Sequence, residues 1–328
     1  MMSRKIVFLS LVPLLFLVAG TAMAQSPIVI NLGHVFAPDH TMHEASMRFA
    51  QLAAEKTNGR VEIRIHPSST LGHEREAIEG MQLGTVDMSL VSAGVAGNFE
   101  PKVGILDLPY IFRDIDHVHN VVDGAIGREL NQALQRNVGI RVLAWGDTVF
   151  RYVFTKRTPI TRLEDFRGLK IRTPEAWLYA ETFRLLGANP TPIAWGELYT
   201  SLQTGVVEGL ENAPEAVYTA RLHEQVRHAT RTEHIFVAIL VSMSERTYRR
   251  LPADIQRAVT EAAVEAWAWQ REVADASNIE FQEKLAAEGM TFHNIDKSVL
   301  QARVRPMYED YGRRTGSLDL INRLLDVQ

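Results

Sequence analysis

The chain of 328 residues contains no cysteine, which excludes disulfides, thiolate metal sites and a lipid-attachable Cys near the N-terminus. It has no Gly-x-Ser-x-Gly elbow and no phosphate-cradling glycine loop, so no sign of an enzyme is present. His73-Glu74-Arg75-Glu76 lacks the second His of a metalloprotease helix, and His34, His40 and His43 match no zinc spacing. No metal and no cofactor is expected. Low-complexity stretches are absent too, and 46% hydrophobic residues make an ordinary globular chain. Nor is there a basic excess: 35 Lys and Arg stand against 39 Asp and Glu, a balance that argues against nucleic-acid or anionic-membrane partners.

The first residues carry an address. Arg4 and Lys5 precede an apolar run from Ile6 to Val18, and Ala22-Met23-Ala24 supplies the small residues of a signal-peptidase site. The run is shorter than the ~20 residues of a membrane span and Pro13 interrupts it. A signal peptide of residues 1–24, cleaved after Ala24, is expected, with a soluble product exported to the periplasm. Cleavage removes two cations and no acid, taking the net charge from −4 to −6.

About 300 residues remain, more than one hydrophobic core usually serves, so two domains are the default. From Ile28 onward, strand-like and helix-like segments alternate at βαβ spacing, which predicts mostly parallel sheets flanked by helices. In the first unit, Ile28–Leu32 reads as a strand. Thr41-Met42-His43-Glu44 has capping-box spacing before a helix that ends near Asn58-Gly59. Strand 60–66, helix 74–83, strand 86–91, helix 116–135 and strand 138–145 complete it. A second unit follows, with strands 151–155 and 169–172 and helices 174–186 and 196–204. Met81-Gln82-Leu83-Gly84-Thr85-Val86-Asp87 and Leu202-Gln203-Thr204-Gly205-Val206-Val207-Glu208 echo each other, as two similar lobes would. After a strand at 235–242, residues 252–288 carry no internal Gly or Pro and predict one helix about 50 Å long, enough to brace both lobes. Trp267 and Trp269 lie two apart on it, so at most one points into the main core.

Arg172 ends a buried-looking strand and precedes Thr173-Pro174. Carboxyl ends of parallel strands form ligand crevices, helix N-termini attract anions, and a guanidinium grips a carboxylate through two parallel bonds. The same position also suits a structural ion pair. Arg151 opens the second unit where the chain crosses from the first, and serves either the same anion or a salt bridge. Asn212 ends another strand ahead of Pro214, where it either faces the crevice or caps the next helix. Trp195 precedes a helix and offers a flat wall or a core side chain.

These stretches together resemble the C4-dicarboxylate-binding family, the solute-binding proteins of tripartite ATP-independent periplasmic (TRAP) transporters. The likeness rests on Pro67-Ser68-Ser69-Thr70-Leu71-Gly72, Asp107-Leu108-Pro109-Tyr110, Arg151, and Phe166-Arg167-Gly168-Leu169-Lys170-Ile171-Arg172-Thr173-Pro174. It continues through Gly187-Ala188-Asn189-Pro190-Thr191-Pro192, Glu197-Leu198-Tyr199, Leu202-Gln203-Thr204-Gly205 and Glu208-Gly209-Leu210-Glu211-Asn212, in that order along nearly the whole mature chain. The resemblance implies a two-lobed periplasmic binding protein with a ligand cleft between its lobes. Lobe I is expected at 25–148 plus about 237–276, lobe II at 149–236 plus about 277–328. By the same resemblance Arg172 is the main carboxylate clamp, Arg151 its support, Asn212 a further contact, Trp195 an aromatic wall, and His34 and Glu74 readers of the ligand's far end. Sialic-acid-binding members carry Glu and Arg where this chain has Ser92 and Val95, which sets sialic acid aside.

The expected ligand is a small organic acid. His34, Glu74, Glu175 and Glu211 offer many hydrogen-bond partners, favouring a sugar acid such as a uronate, with C4-dicarboxylates second. The expected partners are the two TRAP membrane subunits, with the binding protein itself a monomer. The alternative role is ligand input to a signalling receptor.

Overall fold

The computed structural model describes residues 26–328; the export signal read at 1–24 lies outside the described residues. Among those described, no helix is long and apolar enough to cross a membrane.

In chain order the first unit comprises β1 (Ile28–Gly33), α1 (Thr41–Lys56), β2 (Val61–His66), α2 (Glu74–Leu83), β3 (Met88–Ser92), the single turn α3 (Ala93–Ala96), α4 (Ile115–Val122), α5 (Ala125–Ala133) and β4 (Ile140–Phe150). The second comprises β5 (Tyr152–Thr155), β6 (Lys170–Thr173), α6 (Trp177–Leu186), β7 (Asn189–Pro192), α7 (Leu198–Gln203), β8 (Gly209–Asn212), α8 (Pro214–Thr219) and β9 (His228–Thr230). Then follow β10 (Phe236–Ser244), α9 (Glu245–Arg250), α10 (Ala253–Ala287), β11 (Thr291–His293), α11 (Lys297–Val304), α12 (Met307–Thr315) and α13 (Leu318–Asp326).

Two sheets result, with strand orders β2-β1-β3-β10-β4 and β11-β9-β5-β8-β6-β7. Each is parallel except for one strand, β10 in the first and β5 in the second. The exceptions have a common cause: each enters its sheet directly from the other sheet, without a crossover helix to turn it round. The chain runs from β4 through Arg151 into β5, and returns from β9 into β10. The two crossings are tied side by side, the Arg151 amide donating to the Ile235 carbonyl at 2.9 Å.

The outward crossing is also bent. Between Phe236 and Ala238 the β4–β10 register slips, and Val149 adopts φ 60°, a left-handed conformation that a β-branched residue rarely takes. Such a bulge re-aims the neighbouring side chains. Here Thr148, bonded through Oγ1 to the Val237 carbonyl, and Val237 itself both reach the space between the sheets.

Helix α10 spans the molecule. Its first half packs on α1 and β4 around Trp267 and Phe49, while its second half carries Leu285 into the core of the other sheet. Trp267 is buried and Trp269 half-buried, as the i, i+2 spacing requires. Gln270 fastens the helix to the bent strand, accepting from the Asp147 amide at 3.0 Å and donating to its carbonyl at 2.9 Å.

Three local expectations change. The capping box at Thr41 does not form: His40 is the N-cap, accepting from the Met42 amide at 3.2 Å, and Thr41 bonds elsewhere. The helix read at 116–135 breaks at Gly124, where the chain folds back so tightly that a Cβ would lie 2.3 Å from the Asn120 carbonyl oxygen. Residues 277–328 do not all join the second sheet. Helix α11 packs on α6, but Tyr308 donates to the Pro109 carbonyl at 2.8 Å and His117 bonds the Leu324 carbonyl at 3.0 Å. The apolar faces of α12 and α13, including Leu320, Ile321 and Leu324, are buried in the same core as Val118, Val121 and Leu130. Burying such side chains stabilises by roughly 1.5–3 kcal/mol each, enough to draw the C-terminus onto the first unit.

Candidate functional site

Because the parallel strands of both sheets direct their carboxyl ends toward the same gap, that gap is where their terminal residues meet. It is a crevice partly open to solvent, the kind of concave place where small molecules bind. From the first unit come Val35 and Phe36 just beyond β1, His40 at the start of α1, Glu74 on α2, Ser92 ending β3, and Thr148, Val237 and Ile239 from the crossing strands. The second contributes Arg172 from β6, Pro174, Tyr179 from α6, Trp195, Asn212 ending β8, and Ala216. Arg151 lies between the two.

Arg172 is 3% exposed, yet forms no salt bridge among the described residues. Its one hydrogen bond among the described residues runs from Nε to the Ile193 carbonyl, 2.9 Å away, and neither terminal nitrogen has a partner among them. Its guanidinium carbon lies 5.6 Å from the centre of the Trp195 ring, within cation–π range. Burial is the main cause that brings its pKa down to about 10, so it stays a cation at neutral pH. One expected element is missing: α6 begins at Trp177 and not at Pro174, so no helix N-terminus adjoins Arg172 directly.

Arg151 is engaged quite differently. It pairs with Glu211 through Nε and Nη2, donates from Nη2 to the Glu211 carbonyl at 2.7 Å, and from Nη1 to Asn212 Oδ1 at 3.0 Å. His234 Nε2 lies 3.3 Å from the same Glu211 carboxylate. Burial pushes that carboxyl up, but the Arg151 charge and the His234 bond outweigh it, leaving it below its ordinary value. The face of Tyr179 covers the guanidinium at 5.4 Å. Asn212 does not cap α8, whose N-cap is Ala213. Its Oδ1 accepts from Arg151 and from the Ala213 amide at 2.8 Å, so the side chain is fixed with its Nδ2 group unbonded to protein.

Glu74 faces this cationic side from the first unit. Its carboxylate accepts from the Ser92 amide at 2.6 Å and the Ser92 hydroxyl at 3.1 Å, and burial raises its pKa.

Of the residues singled out on sequence, the structure brings together Arg172, Arg151, Asn212, Trp195, Glu74 and Ser92. Three lie elsewhere. Glu211 is wholly buried behind Arg151, because neighbours on a strand face opposite ways and Asn212 takes the cleft side. His34 turns from the cleft to His43, its Nε2 3.2 Å from His43 Nδ1, and burial lowers its pKa to about 3. Glu175 does not line the space: its carbonyl accepts from Asn98 Nδ2 at 2.6 Å, its charge reaches Arg172 only from a distance, and its neighbour Pro174 lines the space instead. Sequence reasoning missed Tyr179, Thr148 and His40. Of these, His40 had a signal: it immediately precedes a helix, where a side chain is held by the first-turn amides.

Compared with known proteins, residues 32–314 match the family model "Bacterial extracellular solute-binding protein, family 7". The chain is 33% identical over 305 residues to the C4-dicarboxylate-binding periplasmic protein DctP of Rhodobacter capsulatus, covering 90% of each. A crystal structure of a TRAP periplasmic solute binding protein from Roseobacter denitrificans with bound L-galactonate superposes with a TM-score of 0.85 at 31% identity, covering 91% of this chain and 98% of that one. Another, from Xanthobacter autotrophicus with bound β-D-galacturonate, gives 0.87 at 30% identity, covering 91% and 100%. A match over most of the sequence, the two-lobed architecture and the strand-end cleft agree, and the chain belongs to family 7 of the bacterial extracellular solute-binding proteins, the TRAP solute-binding family.

Proposed function

We propose that this protein captures a sugar acid, a uronate or aldonate, in the periplasm and delivers it to the membrane subunits of a TRAP transporter. Arg172 carries the reading: a buried guanidinium with two unpaired nitrogens is costly unless an anion completes it. The ligand carboxylate takes those nitrogens in a bidentate pair, with Asn212 Nδ2 as a further donor and Trp195 as the flat wall. Arg151, neutralised by Glu211, acts chiefly as the rigid frame that fixes Asn212. Glu74, Ser92, Thr148 and His40 serve the hydroxyl groups. Two similar proteins bind galactonate and galacturonate, which supports this class of ligand. The lobes are built on the two sheets, and closure about the paired crossings buries the acid.

A ligand at 100 times its dissociation constant stabilises the fold by about 2.7 kcal/mol. A thermal-shift screen therefore tests the proposal: D-galacturonate, D-glucuronate and L-galactonate are expected to raise the melting temperature, and succinate is not. Stabilisation by succinate alone would move the assignment to C4-dicarboxylates, for which a relative is named. Recovery of the ligand chemically altered would make the protein an enzyme.

A further inference from the structure

A buried polar bridge joins Thr41, on α1 of the first lobe, to Glu215, on α8 of the second. The Thr41 amide donates to Glu215 Oε1 at 2.7 Å and its hydroxyl to Oε2 at 3.0 Å. All four atoms are buried, with Thr41 8% and Glu215 7% exposed. The Thr41 amide belongs to the first turn of a 16-residue helix, where N–H groups have no intrahelical acceptor and a carboxylate is favoured by the helix dipole.

The bridge adjoins the ligand space on both sides, since His40 and Ala216, the sequence neighbours of its two residues, line it. His40 Nδ1 accepts from the Met42 amide and lies 3.6 Å from Glu215 Oε1. An Nδ1 used as acceptor places the ring proton on Nε2, and His40 Nε2 has no hydrogen-bond partner among the described residues.

We propose that Glu215 and Thr41 form a bolt that engages only when the lobes close, beside a His40 whose ring proton sits on Nε2 because its Nδ1 accepts from the Met42 amide. This rests on the two-lobed closure described above. Opening the lobes separates α1 from α8 and exposes the carboxylate and the orphan amide to water. Reforming the bolt therefore acts after the ligand has entered: it slows escape and leaves capture unaffected.

The chain has no cysteine, so Met47→Cys on α1 and Val206→Cys before β8, both exposed, can carry spin labels that report the distance between lobes. With D-galacturonate as the probe, Glu215→Ala is expected to raise the dissociation rate at least about a hundredfold, the loss of two hydrogen bonds to a charged acceptor, with the association rate within about twofold. Thr41→Val gives a smaller rise in the same direction. The double variant is no worse than Glu215→Ala, and Glu215→Gln, which keeps an acceptor for the amide, restores most of the loss. Dissociation unchanged in Glu215→Ala, or additive effects in the double variant, would overturn the bolt. If the unaltered protein fails to bind D-galacturonate, the sugar-acid reading falls by itself. The distance distributions of the free proteins then decide: fewer short distances in Glu215→Ala sustain the bolt, and identical distributions overturn it.

Discussion

Asn212 Oδ1 accepts from Arg151 Nη1 at 3.0 Å and from the Ala213 amide at 2.8 Å. The arginine at the crossing and the asparagine at the end of β8 thus form one rigid unit, built on an ion pair with Glu211 whose side chains are 6% and 0% exposed. Removing one member of such a pair leaves a buried charge unbalanced, which costs about 3–5 kcal/mol. Glu211→Ala is therefore expected to destabilise the ligand-free protein by that amount in urea unfolding. A loss below about 1 kcal/mol would mean that the pair contributes little to the frame.

Arg172 should behave in the opposite way. Its one hydrogen bond among the described residues reaches a carbonyl, and truncation removes a buried cation that Glu211, Glu74 and Glu175 favour only from a distance, without a salt bridge. Arg172→Ala is expected to abolish ligand-induced stabilisation while the free protein melts within about 2 °C of the original or slightly higher. A large fall in the free protein's melting temperature would identify Arg172 as a structural residue.

Trp195 is half-buried and covers the Arg172 guanidinium at 5.6 Å. Losing a desolvated cation–π contact and an apolar wall is worth about 1–2 kcal/mol, so Trp195→Ala should weaken sugar-acid binding about tenfold, and Trp195→Phe less. Calorimetric titration of both variants measures it, and equal affinities would remove Trp195 from the site.

Asp107 gives a dependence on pH. It is fully buried, and burial raises its pKa to about 8, with Tyr179 and Arg151 opposing the rise and Glu211 and Glu74 adding to it. A carboxyl raised in the folded state binds its proton more tightly there than when unfolded. Its contribution is complete below about pH 4 and lost as pH climbs through 8. Glu215, raised by burial to about 7, acts in the same direction over a narrower window. Between about pH 6.5 and 8, above the range in which buried His34 and His40 add stability as they lose their protons, stability should fall by about 2 kcal/mol. Asp107→Asn should flatten that fall and leave the protein more stable than the original at the alkaline end. A wild-type curve that rises over this range would contradict the assignment.

Much of this was legible from residue order because it depends on local periodicity and strand ends. The helix at 74–83 and the long helix at 252–288 were readable from uninterrupted helical composition, and the latter runs from Ala253 to Ala287. Arg172 and Asn212 were readable because a parallel strand's last residues must emerge at a crevice. What remained hidden depends on packing between distant segments. Nothing local distinguishes Glu211 from Asn212 until Arg151 occupies one side of β8, and nothing near Tyr179 shows that its ring will cover a guanidinium 28 positions earlier. The left-handed Val149 is likewise invisible, since a β-branched residue reads as ordinary strand and only the bulge against β10 forces the turn.

The place of β10 has a consequence for biogenesis. It supplies the fourth position of the β2-β1-β3-β10-β4 sheet, and β4 touches that sheet through no other strand. A nascent polypeptide stopped at residue 235 would hold β4 with its edge unsatisfied and a vacant slot beside β3. The first sheet therefore cannot be completed until the second unit has been synthesised, when almost three quarters of the chain is present. The unpaired edges must be shielded from aggregation until then.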